Sequence, residues 1–227
     1  MKLYPIPFIL IFFPVFSVQA QLASADSESY LSWSASQAGG IGKEMRVSGR
    51  VGRALDLRVL HTERAINYKL RATLMTADVI RAVARLEQLR SRLTDQQTRN
   101  LVEEAETVAD LVVMVELDPR EGSGVIPLDW RVFLEPKGLK PGSPGAVSGI
   151  KLSQLRNVKA LAGAARRDYD YDVFWVSFPL VDENKNVRIP ADTAEIELLV
   201  GIYGSEGRVS WRMPASLRER LKVLSKK

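Results

Sequence analysis

Three carboxylates at period two, Asp168, Asp170 and Asp172, are the densest set of groups in this chain that could do chemistry. Their spacing matches the opening of a calcium loop, which supplies side-chain oxygens at positions one, three and five. Position six of such a loop must be glycine and is Val173, and position twelve must be glutamate and is Pro179, so an EF-hand is excluded. In an extended segment the three acids project from one face and repel one another unless something offsets them. Arg166 and Arg167 stand immediately upstream to do so, and a calcium-like ion held by Asp168, Asp170 and Asp172 is the alternative. Tyr169 and Tyr171 fall on the opposite face, as packing residues or as a contact platform.

A second group of chemical interest is basic. Arg81, Arg85 and Arg92 recur at spacings of four and seven, which places them on one side of a helix where they could meet phosphate headgroups or an acidic polymer. The bland alternative is pairing with Glu103, Glu104, Glu106 and Asp110 of the next helix.

Other chemistries are excluded by composition. The chain of 227 residues has no cysteine and one histidine, His61, which removes thiol catalysis and disulfides and leaves too few N and S ligands for a zinc site. No Gly-x-Ser-x-Gly elbow accompanies His61, so a serine triad is not indicated. Gly122-Ser123-Gly124 lacks the following lysine of a phosphate loop and reads as a turn. Lys and Arg total 32 against 27 Asp and Glu, a net charge of +5 without the like-charge blocks of a nucleic-acid arm. No catalytic residue and no cofactor is therefore assigned, and no nucleic acid is expected as a partner.

The elements that must position these groups follow from periodicity. Residues 1–20 carry Lys2, an apolar run through Phe13 and a small-residue ending at Ala20, the pattern of a cleaved secretory signal. Residues 21–43, rich in Ser, Ala and Gly, read as a flexible leader with Trp33 as an anchor. Residues 44–227 read as one domain. Alternation over Met45–Val51, Leu55–Val59 and Ile66–Leu74 predicts half-buried strands, the last with Asn67, Lys69, Arg71 and Thr73 outward. At Thr76 the period switches to helical, and Thr94-Asp95-Gln96-Gln97 starts a second helix with a capping box, so a helical hairpin is inserted at about 77–110. Leu111–Leu117, Ile126–Leu134, Val173–Phe178 and Ala194–Ile202 are further strands, Arg208–Met213 another, and a basic amphipathic helix spans Ser216–Ser225. Val173–Phe178 has almost no polar face and must be covered on both sides, with Trp175 in the core. Lys137–Gly149 is a Gly/Pro-rich loop, and Leu152–Ala165 a candidate short helix.

In architecture alone the pattern resembles an immunoglobulin-like or C2-like β-sandwich, carrying the helical insertion and a C-terminal helix. The resulting expectation is an exported, periplasmic or secreted, non-catalytic binding module of the cell envelope. Its partner would be another envelope protein or an anionic envelope polymer, and no transmembrane span remains after signal cleavage. The rival is a hydrolase using paired carboxylates, with Asp168, Asp170, Asp172 and Glu121 as the clustered acids.

Overall fold

The computed structural model describes residues 28–52, 67–119, 129–139, 145–152, 160 and 172–226. Its scaffold is mainly β. Nine strands form one antiparallel sheet: β1 (Arg46–Gly52), β2 (Asn67–Met75), β3 (Leu111–Pro119), β4 (Trp130–Pro136), β5 (Val147–Ser148), β6 (Ile150–Leu152), β7 (Asp172–Phe178), β8 (Glu195–Ile202) and β9 (Ser205–Arg212). The order across the sheet is β5-β4-β8-β9-β1-β2-β3-β7-β6.

The two outermost strands are consecutive in the chain, separated only by Gly149, so the sheet is nearly closed on itself. Val147 and Ser148 pair with Leu134 and Phe133 of β4, and Ile150 to Leu152 pair with Ser177 to Trp175 of β7. Gly149 sits where the strand passes from one neighbour to the other. A Cβ there would lie 2.4 Å from Val176, 2.8 Å from Val132 and 2.9 Å from Phe178, so the passage requires glycine because no side chain fits.

Period two sorts the strand residues into two environments. Leu70 and Ala72 of β2, Val113 and Val115 of β3, and Val176, Phe178, Leu198, Val200, Val209 and Trp211 of the strands beyond fill the interior and are buried together. Trp130 joins them with its ring edge-on to Phe174, 5.1 Å between centroids. The opposite face of β3 and β7, bearing Val112, Met114 and Trp175, is covered by a helical layer. Strands β3 and β7 are thus buried on both faces, which is why their sequences are nearly continuous apolar runs. Trp175 is buried, as its sequence context requires.

Four helices complete the described structure: α1 (Ala35–Glu44), α2 (Ala77–Ser91), α3 (Asp95–Glu106) and α4 (Ala215–Leu224). The hairpin of α2 and α3 lies between β2 and β3 in the chain. Thr76 caps α2 by accepting from the Val79 amide, and the Thr94/Gln97 capping box opens α3. Residues 28–44, which composition assigns to a leader, instead form a single 3-10 turn at Ser29–Ser32 and then α1, opened by a Ser34/Gln37 capping box. Tyr30 is buried against Val79, Ile80, Val83 and the rest of the helical layer, and Tyr30 and Trp33 pack edge to face at 6.3 Å. Two aromatic anchors and a cap outweigh the low apolar content of this segment. The expected strand Leu55–Val59, the candidate helix 153–165 apart from Ala160, His61, Glu121, Gly122-Ser123-Gly124 and residues 1–27 lie outside the described residues.

Candidate anion-binding face

The outer face of β9, β1 and β2 is basic, and the helical layer reaches it only at its β2 corner, where Thr73 is buried beside Met75. On β1 the outward residues are Arg46, Ser48 and Arg50, since Val47 and Val51 point to the core. Their β2 neighbours are Thr73, Arg71 and Lys69 in register. Val51 pairs with Gly207 of β9, and continuing that antiparallel register sets Arg50 beside Arg208, Ser48 beside Ser210 and Arg46 beside Arg212. Gly49 against the Val209 side chain and the Trp211 indole N–H donating to the Met45 carbonyl at 2.9 Å support the same alignment. The result is three rows of three: Arg212, Arg46 and Thr73; Ser210, Ser48 and Arg71; Arg208, Arg50 and Lys69. Six positions are cationic, three carry hydroxyls and none is acidic.

Acids stand along the two rims and, as Glu206, on β9 itself one outward position before Arg208. On β3, Glu116 is 4% exposed, 4.0 Å from Arg46 Nε and directly across from Arg71; Asp118 pairs with Lys69 at 3.2 Å. On the other rim Arg208 reaches three glutamates, Glu197 at 2.7 Å, Glu135 at 3.3 Å and Glu206 at 3.3 Å. The hydrogen bond to Glu197 is the main cause of a guanidinium pKa raised still further above its ordinary value. Beside this rim, Lys137 and Glu195 are hydrogen-bonded, which raises the lysine pKa and lowers that of the glutamate. Arg50, at the centre of the lowest row, has no ion-pair or hydrogen-bond partner for its side chain among the described residues and stands between two other cations. Both flanking cations are held by carboxylates, Lys69 by Asp118 and Arg208 by its glutamates, which offsets the repulsion that like charges opposite one another on a sheet would otherwise exert.

The helical stripe is arranged differently. Arg81 lies 3.6 Å from Glu106 of α3. Arg85 donates from Nε to the Trp33 carbonyl at 2.8 Å and from Nη1 to Gln88 at 2.6 Å, and Gln88 in turn donates to Asp95 at 2.7 Å. Arg92 is the C-cap of α2, exposed and in the left-handed conformation with φ 53°. Arg81 and Arg85 therefore fasten α3 and the segment around Trp33 to α2. A cavity of about 40 Å³ among Glu106, Asp110, Ser216 and Arg220 lies near these helices, room for one or two waters.

Of the acidic segment, only the backbone of Asp172 is described, paired with Leu117 at the start of β7. The side chains of Asp168, Tyr169, Asp170, Tyr171 and Asp172, with Arg166 and Arg167, lie outside the described residues. Among the described residues no three Asp, Glu or His side chains gather in a way that could hold a metal ion. None of the cations of the sheet face is named as a site by spacing alone. The signal that could have found them is the outward alternation Arg46-Ser48-Arg50 read together with Lys69 and Arg71; what periodicity lacks is the pairing of β1 with β9, some 150 residues further on.

The chain matches no protein-family model and no curated protein. Among solved structures it is similar to a crystal structure of a novel protein of unknown function from Burkholderia pseudomallei K96243, at 13% identity and a TM-score of 0.42, over 92% of this chain and 95% of that one.

Proposed function

We propose that this protein is an exported binding module of the cell envelope, built on a β-sandwich-like closed sheet, that docks an anionic partner on the outer face of β9, β1 and β2. The observation that carries the reading is the grid of six cations interleaved with hydroxyls, with no acid among them. Cations repeat at about 4.8 Å between strands and about 7 Å along them, a spacing that suits an extended polyanion rather than one buried charge. Arg fits this role better than Lys, because its planar fork gives bidentate bonds to phosphate or carboxylate. Export is read from the segment ending at Ala20, and an anionic envelope polymer is the partner class that the face matches.

The test is binding of the purified protein to a soluble model polyanion, inorganic polyphosphate, across a salt series. Affinity is expected to fall steeply as salt rises, because exposed charges are screened within about 8 Å at physiological ionic strength. Arg50→Glu, at a partly exposed position on the outer face, should weaken binding by about tenfold or more, while Arg92→Glu on the helical layer should leave it unchanged. Equal loss in both variants, or no binding at low salt, would remove the assignment.

A further inference from the structure

Gly201 is the penultimate residue of β8, still in regular register, opposite Arg131 on β4 and Glu206 on β9. The other glycines of the nearly closed sheet have structural reasons: a Cβ on Gly49, Gly149 or Gly207 would come within 2.7 Å of neighbouring atoms, and Gly52 has a φ of 87°. Gly201 has none of these. Nothing lies within 4 Å of the Cβ it lacks, and its φ is not in the left-handed region. A glycine within a strand weakens it, and one with neither strain nor crowding to explain it leaves room for a ligand or another backbone to approach closely. The space above it is a cleft of about 440 Å³ bordered by Phe133, Leu199, Arg131 and Tyr203.

Tyr203 is equally unexpected where it stands. With Gly204 it forms the two-residue turn between β8 and β9, φ 46° and 77°, a type that favours Asn-Gly or Asp-Gly. The tyrosine is 65% exposed, the most exposed of the large apolar side chains among the described residues. A knob and a hole therefore stand two residues apart on one strand. Beside them Asp129 and Arg131 are both exposed, and among the described residues neither side chain has an ion partner. The register puts Arg131 level with Gly201 and, since Trp130 is level with Ile202, Asp129 level with Tyr203.

We propose that this patch is an isologous interface with a second copy of the chain, in which each Tyr203 seats on the partner's Gly201 and each Arg131 meets the partner's Asp129. A two-fold axis lying in the interface, across the strands at the level of Ile202, exchanges the level of Gly201 with that of Tyr203 and, on β4, the level of Arg131 with that of Asp129. One operation thus satisfies both the shape and the charges, which is the requirement for a self-complementary contact. The patch lies beside the cationic face of β9, β1 and β2 without covering its β1 and β2 rows, so a dimer presents two such faces and gains from their joint engagement of a long polyanion. The dimer itself does not depend on that reading.

Sedimentation velocity over a concentration series tests it. The protein is expected to dimerise, and Gly201→Trp, which fills the hole, or Asp129→Arg, which sets two cations together, should raise the dissociation constant by about tenfold or more. The double reversal Asp129→Arg/Arg131→Asp should restore the dimer, because the exchanged charges again meet opposite partners. Tyr203→Asn should abolish the dimer while raising the melting temperature of the monomer, because asparagine suits the turn better. A wild-type protein that stays monomeric up to about 1 mM, a dimer indifferent to Gly201→Trp and Tyr203→Asn, or a double reversal that fails to restore association would each overturn the proposal.

Discussion

At the scale of single residues, burial and hydrogen bonding set the largest expected effects. Trp175 is 7% exposed and packs in the layer formed by Met114, Val79 and Val102, so Trp175→Ala should destabilise by about 3 to 5 kcal/mol in denaturant titrations. A loss below about 1 kcal/mol would contradict its place in the core. Asp182 shows how one carboxylate can organise a loop: it accepts from the Asn184 and Asn186 amides at 2.8 Å each and from Asn186 Nδ2 at 3.2 Å. The Asn186 amide is the main reason its pKa is lowered. A carboxyl whose pKa is lower folded than unfolded stabilises above the unfolded value and loses that contribution as pH falls through the folded one. The protection of the Asn184 and Asn186 amides, measured against their intrinsic exchange rates, should therefore fall on acidification below the ordinary aspartate range, and Asp182→Ala should remove the dependence.

At the scale of elements, glycines separate what the fold needs from what it tolerates. Gly149→Ala should destabilise by about 1 to 3 kcal/mol, because the added methyl meets three core side chains at the point where the sheet closes. Gly201→Ala should instead stabilise by about 0.5 to 1 kcal/mol, since it meets nothing and removes backbone freedom from the unfolded chain. A thermal-shift comparison of the two variants distinguishes the closure point from the open place on β8, and equal effects would mean that the two glycines play the same part. The helices follow local rules. The Thr76 cap and the Thr94/Gln97 box start α2 and α3 where sequence places them, and the Arg81 and Arg85 side chains then hold the layer together instead of facing solvent freely.

At the scale of the whole molecule, charge is segregated. The helical layer covers β3 and β7 and the Thr73 corner of β2, leaving the rest of the outer face of β9, β1 and β2 open and cationic, while acids sit along its rims. Among the described residues no helix is long and apolar enough to cross a membrane. Export predicts a processed chain: intact-mass analysis of protein recovered outside the cytoplasm should show Gln21 as the first residue, and an unprocessed cytoplasmic product would count against envelope function.

Sequence alone determined whatever depends on near neighbours in the chain. Alternation marked β1, β2 and β8 as strands, an apolar run marked β7 as covered on both faces, and side-chain caps marked the starts of α2 and α3, because period and capping are local properties. The same locality explains the segment at 28–44, whose few apolar residues look insufficient until Tyr30 and Trp33 are seen against α2. Only the tertiary structure decided which strands became neighbours. Residues 46–50 are basic in isolation, but they become the centre of a cationic face because β1 pairs with β2 on one side and with β9, far along the chain, on the other. Likewise, the three arginines at helical spacing could by sequence either meet an anion or pair with the acids of the next helix, and it is the fold that brings Glu106 and the Trp33 carbonyl against two of them. A charge has meaning only with its neighbours, and across a sheet those neighbours are set by long-range register rather than by sequence distance.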